Sequence, residues 1–186
     1  MSLITDTDFE TTYDETVKKI ITINQEILNL FGDGAPGWAP ESAAMLLAKS
    51  RLDWQLSLSN SLKNWRRTSP KKLSDGDLIL AWANLGCLIE GTMKLLLAVY
   101  YEDYSKDPNK PDFEPDDLFF NTLIHYFNNT NLLSQVQYEL CELVKSRRNA
   151  IHAFKDRNIG SPAEFLAALE SYLSFLKSIN TRLPSP

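Results

Sequence analysis

Histidine and cysteine are scarce in this 186-residue chain, two of each. No CxxC pair and no His/Cys cluster at ligand spacing occurs, which argues against a structural zinc site. Cys87 and Cys141 both sit inside apolar helical patterns, so they read as small core residues of a chain in a reducing setting rather than a disulfide framework. Positive charge is short as well: 19 Lys and Arg against 24 Asp and Glu leave a net charge of −5. The chain as a whole therefore offers no global attraction to nucleic acid or anionic membranes, and any site for them must be a local basic patch. Alternating β-branched runs are few, which disfavours sheet. The opening Met-Ser-Leu-Ile-Thr-Asp-Thr-Asp has neither a basic start nor an apolar run, so a secretory signal is not expected and cytoplasmic placement is. The carboxylate clusters of a two-metal nuclease are missing too, and neither a metal nor a cofactor is expected.

What is present is helical. A composition that is 44% hydrophobic and 23% charged suits one globular domain. The expected class is all-α, an up-and-down bundle of about five to six helices. Residues 1–72 supply N-terminal helices and 73–182 the core region. The first helix is expected from Asp6 or Thr7 to about Leu30, with Ile20, Ile23 and Ile27 on its apolar side, ending in Gly32-Asp33-Gly34-Ala35-Pro36-Gly37. A second is expected to run unbroken from Pro40-Glu41-Ser42 to Trp65. It leads into a basic cluster of Lys63, Arg66, Arg67, Lys71 and Lys72, read as a solvated helix end with a secondary phosphate contact as the alternative.

The third helix, from Ser74 or Asp75, is the most apolar, stepping through Leu78, Trp82, Leu85, Ile89, Met93, Leu96 and Tyr100. Glu90 and Lys94 interrupt it at ion-pair spacing, so a central bundle helix is favoured over a membrane span. Residues 105–115, with three prolines among charges, read as a connecting loop or a lid. A shorter helix from Pro115 to Phe127 carries His125, read as packing or surface.

The next helix is expected to run from Leu132 to Phe154. Its stripe is Leu133, Val136, Leu140, Leu143, Val144, Arg147, Ile151 and Phe154, so an arginine occupies a seam position. A cation there is costly unless it is paired or used. Lys145, Arg148, His152 and Lys155 step along the adjacent face, and Arg147 points roughly 140° from His152 on an ideal helix. The last helix begins with a capping box, Ser161-Pro162-Ala163-Glu164, and buries Phe165, Leu169, Tyr172, Leu176 and Ile179.

The stretch from Lys145 to Phe154 gathers the residue types for RNA cleavage without metal. Histidine moves protons near neutral pH. Arginine donates bidentately to phosphate and stays charged. Asparagine orients an oxygen or the imidazole. The bland alternative is that basic residues near a helix C-terminus meet the helix dipole favourably, a sufficient reason for them without catalysis.

Arg147-Arg148-Asn149-Ala150-Ile151-His152 resembles the hallmark of the HEPN superfamily (higher eukaryotes and prokaryotes nucleotide-binding domains), an arginine and a histidine separated by four residues near the end of a late helix. Leu85 to Lys94, with Glu90 and Lys94 four apart, resembles the family's earlier helix, and the likeness runs from about Leu78 to Leu176. The resemblance implies a helical bundle, often dimeric, in which two motifs meet across a two-fold axis to form one ribonuclease cleft. It implies His152 as the proton-transfer residue and Arg147 as the phosphate-binding cation, with Arg148, Asn149, Lys145 and Lys155 as substrate contacts. The family often has Asn, Asp or His directly after the arginine; here that place is Arg148, and Asn149 follows. The implied partners are RNA, a second copy of the chain and a nucleotidyltransferase-like antitoxin, in a toxin or phage-defence setting. Two alternatives remain: a non-catalytic HEPN-like module that binds RNA, a nucleotide or a protein, and a helical adaptor without a nucleic-acid role.

Overall fold

The structure is a computed structural model describing residues 6–34, 39–66 and 73–184. Among them are eight α-helices and no strand: α1 (Asp6–Phe31), α2 (Glu41–Lys49), α3 (Leu52–Ser61), α4 (Asp75–Val99), α5 (Tyr101–Lys106), α6 (Phe120–Asn129), α7 (Gln135–Arg148) and α8 (Pro162–Asn180). The class is all-α, as its periodicity predicts. One apolar core extends from Phe9 on α1 to Ile179 on α8.

Helix α4 is the central element, packed by α2, α3, α7 and α8. Its start is set by Ser74, whose hydroxyl accepts from Asp77 N while Ser74 N donates to the Asp77 carboxylate, an arrangement that contributes about 1 kcal/mol. Leu78, Trp82, Leu85, Ile89, Met93 and Leu96 are buried along it. This is the one described helix long and apolar enough to span a bilayer, yet 61% of its most apolar window is covered by protein. Burial on several sides brings polar groups along: Thr92 meets the Tyr172 hydroxyl at 3.1 Å, and Gln55 donates to Leu88 O at 2.8 Å.

The expected second helix is two helices. At Ser50 the backbone turns extended, and the Ser50 hydroxyl donates to Leu47 O, the local competition that suits serine to helix ends. Leu47 and Leu52 are both buried. Five residues apart, they would point roughly 140° away from each other on one helix, so the break is what lets both face the core. Arg51 then pairs with Asp53 and stacks on the exposed Trp54 ring at 3.9 Å. At the end of α3, Arg66 pairs with Asp14 at 2.8 Å and Lys63 donates to Asn60; Arg67, Lys71 and Lys72 lie outside the described residues.

The expected loop at 105–115 is partly helical, since α5 extends to Lys106. The remainder is pinned by two tyrosines: Tyr104 donates to Phe113 O at 2.6 Å and Tyr126 to the Asp107 carboxylate at 2.7 Å. Pro115–Asp117 forms only a 3-10 turn. Leu118 is extended and buried, which delays α6 to Phe120. His125 is exposed on α6. Of the cysteines, Cys141 is buried but Cys87 is exposed, against expectation, because residue 87 shares the incompletely buried stripe of α4 with Glu90 and Lys94.

Candidate functional site

The site is built on the end of α7. Ser134 and Gln137 form a capping box at its start, and Leu140, Cys141 and Val144 anchor it in the core. The helix stops at Arg148, six residues short of the expected end at Phe154. Asn149–Ile151 make a 3-10 turn whose Ala150 is buried against α4, and His152 takes a non-helical conformation (φ −84°, ψ 75°). Asparagine is a weak helix former, and the chain beyond is held elsewhere. With the helix ended, the stripe loses its phase: Ile151 is 49% exposed and Phe154 fully exposed, and Val136 at the start of α7 is exposed too. His152 and Arg148 are therefore not neighbours on a helical face.

Each basic residue has its own environment. Lys145 is bonded to Glu142 at 2.6 Å and to Asn121 Oδ1 at 3.1 Å. Arg148 lies across Gly86, where a Cβ would stand 2.7 Å from Arg148 Cδ. Its guanidinium sits 5.0 Å above the Phe120 ring, and Nη1 reaches Glu90 at 3.0 Å. Glu90 also takes Lys94 at 3.1 Å, so the ion pair foreseen within α4 acquires a second cation from α7.

Arg147 is the most enclosed of the set, its side chain 13% exposed. The acid that offsets this seam arginine comes from its own chain. Nε and Nη2 donate to Glu164 Oε1 at 2.9 and 2.7 Å, and Nη1 donates to Asn158 O at 2.8 Å. Glu164 is the residue expected to close a capping box on α8. Ser161 does cap that helix, accepting from Glu164 N, but the carboxylate turns to Arg147. Gly160 allows this, because it adopts φ +70° and a Cβ there would lie 2.7 Å from Glu164 Oε2. Asn158 Oδ1 accepts from Gly160 N, and Trp82 Nε1 donates to Ile159 O at 2.8 Å. The segment 156–160 is thereby clasped between α4, α7 and α8.

His152 sits on the solvent side of this clasp. Its side chain is exposed and has no hydrogen-bond partner among the described residues. Its backbone N bonds Asn149 O at 3.2 Å, and its carbonyl receives Lys155 N at 3.3 Å. That turn brings the Lys155 backbone within about 7 Å of His152. Asn149 is half-buried and holds the turn through its carbonyl, while Lys155 is exposed. The structure thus places all six predicted site residues at one end of α7, but on two elements, a helix and a turn. Sequence reasoning missed Glu164, Asn158, Gly86 and Phe120, which hold them. It also missed Arg157, whose Nε is buried without a hydrogen-bond partner. A glycine in the middle of an apolar helix was the available signal for Gly86. Among the described residues no group of three or more His, Cys, Asp or Glu is arranged to hold a metal ion. No family model, curated protein or solved structure matches the chain.

Proposed function

We propose that this chain is a metal-independent endoribonuclease of HEPN-like type whose cleft is completed by a second copy. The observation that carries the reading is His152: an exposed imidazole without an intrachain partner, held on a fixed turn beside cations and flanked by exposed Ile151 and Phe154. Exposed apolar side chains next to a reactive group suit a face that a partner covers. In the proposed reaction, one imidazole takes the proton of a 2′-hydroxyl and the 2′-oxygen attacks the adjacent phosphorus. The 5′-oxygen leaves with a proton from a second, protonated imidazole, which the two-fold-related copy supplies. The products are a 2′,3′-cyclic phosphate and a 5′-hydroxyl. Three of the five guanidinium N–H groups of Arg147 are committed to Glu164 and Asn158. The remaining two make no hydrogen bond among the described residues. The likeness in motif extends the proposal to a cytoplasmic toxin or phage-defence protein opposed by a nucleotidyltransferase-like antitoxin.

A second reading has its own support. Arg147 and Arg148 are both paired with carboxylates of the same chain, as expected of a module that binds RNA or a protein partner without cleaving. The deciding experiment is cleavage of a labelled structured RNA in EDTA by the purified protein and by His152→Ala, with its size measured by light scattering. Cleavage with cyclic phosphate ends, lost in the variant and accompanied by a dimer, supports the ribonuclease. RNA binding without cleavage moves the assignment to the binding module, and a monomer that cleaves refutes the shared cleft.

A further inference from the structure

Five basic residues surround the motif: Lys145, Arg147, Arg148, Lys155 and Arg157. Three of them are spoken for. Lys145 is held by Glu142, Arg147 by Glu164 and Arg148 by Glu90. A phosphate drawn to any of these must compete with a carboxylate already in place. Lys155 and Arg157 form no ion pair among the described residues, although Asp156 lies between them in sequence and is exposed.

The two differ in how they are held. The Lys155 side chain is exposed. Arg157 is partly enclosed, and its Nε is buried with no acceptor. Burial of Nε restricts this side chain while no group among the described residues accepts a hydrogen bond from it, and an arginine restricted in that way has less ordering cost left when a ligand arrives. The backbone around it is fixed as well. Its neighbour Asn158 is bonded through its carbonyl to Arg147, and Ile159 through its carbonyl to Trp82. Lys155 is tied by its N–H to the His152 carbonyl.

We infer that Arg157, with Lys155 beside it, is the phosphodiester-binding element of this site, and that it grips the RNA backbone next to His152. The inference rests on the ribonuclease reading for its substrate, but not for the anion itself. Arg147 then contributes mainly by holding the segment that carries Arg157.

The test has two arms, both on the full chain. In the first, 15N-labelled protein is titrated with inorganic phosphate while the arginine Nε–Hε resonances are followed, with Arg157→Lys, Arg147→Lys and Arg148→Lys providing the assignments. The Arg157 resonance shifts saturably, and those of Arg147 and Arg148 move far less. A stationary Arg157 resonance overturns the inference, whether or not a paired arginine moves. In the second arm, binding of a labelled single-stranded RNA is measured against salt. Arg157→Ala and Lys155→Ala each lower the slope of log K against log salt by about 0.7, the loss of one phosphate contact. Wild-type binding with an unchanged slope in Arg157→Ala refutes the assignment and leaves the ribonuclease reading standing. A phosphate response at Arg157 without any RNA binding does the reverse. Arg157→Lys keeps the charge and serves as the folded control.

Discussion

Replacing Arg147 with alanine tests the clasp more directly than it tests catalysis. The guanidinium makes three hydrogen bonds, two of them to a carboxylate, and its side chain is only 13% exposed against 32% for Glu164. Hydrogen bonds to charged groups contribute about 1.5–3 kcal/mol each before mutual dependence is counted. Breaking a fully buried pair costs about 3–5 kcal/mol. Glu164 keeps a solvent path and rehydrates when its partner goes, so the loss settles at about 2–3 kcal/mol. For a chain of this size that lowers Tm by roughly 4–12 °C. His152→Ala removes an exposed ring with no partner, so its stability stays within about 0.5 kcal/mol of wild type. The assay is thermal unfolding by circular dichroism, with Glu164→Ala and the double variant completing a cycle whose coupling is about 1–2 kcal/mol. An Arg147→Ala protein that melts with the wild type, or a cycle with no coupling, refutes the clasp. The same numbers govern any activity assay. A loss of cleavage in Arg147→Ala reports stability and chemistry together, whereas the same loss in His152→Ala reports chemistry.

Three further outcomes follow from the packing. Gly86→Ala gains about 1 kcal/mol of helix propensity, but its methyl group would stand 2.7 Å from Arg148 Cδ, too close for both to stay. Stability changes little while Arg148 leaves Phe120 and Glu90, read as loss of the coupling between Arg148→Ala and Glu90→Ala. In native protein a maleimide labels exposed Cys87 within minutes and leaves Cys141 untouched until unfolding, because Cys141 is buried and burial beside Glu142 pushes its thiol up to about 12; equal labelling refutes the assigned positions. Burial raises the phenols of Tyr104 and Tyr172 to about 12 and also lifts those of Tyr13 and Tyr126. Since the folded values lie above the unfolded value near 10, their stabilisation is complete below pH 10 and falls as pH rises from 10 to 12, where the share of Tyr104 and Tyr172 is largely lost and that of Tyr13 and Tyr126 is still declining. A urea midpoint that holds steady across that window is incompatible with these burials.

How much of this was readable in the chain differs from element to element. The stripes of α1, α4 and α8 are legible because a 3.6-residue period survives wherever one helix faces one core, and Leu78 through Leu96 and Phe165 through Ile179 do so. Ser74 and Ser161 cap as their local sequence predicts. The stripe failed where the chain leaves the helix while apolar residues continue. Ile151 and Phe154 kept the period in register beyond Arg148, yet they are exposed. The break at Ser50 was hidden for the opposite reason, since both halves remain helical. Within the site, the residue types and the Glu90–Lys94 spacing were visible. That Glu90 also serves Arg148, 58 residues later, and that Glu164 abandons its cap for Arg147 are tertiary facts with no local signature.

Those two acids alter what the spacing of the motif means. On a continuous helix, the offset between Arg147 and His152 would be a constant of helical geometry. Here Arg147 lies in the last turn of a helix, whereas His152 lies on a turn beyond it, and what fixes one relative to the other is a chain of contacts. Arg147 holds Asn158 and Glu164, Trp82 holds Ile159, and the Lys155 amide closes on the His152 carbonyl. The imidazole can therefore be moved without touching either motif residue. Glu164→Gln retains hydrogen-bonding capacity but removes the charge that draws Arg147 inward. In that variant the Arg147 side chain becomes more exposed and the 156–160 segment opens more often, which amide hydrogen exchange at Ile159 and Gly160 reads directly. Faster exchange there, with the cores of α4 and α8 unchanged, marks the clasp as the element that sets the position of the histidine; uniform exchange across the chain returns that role to α7 itself.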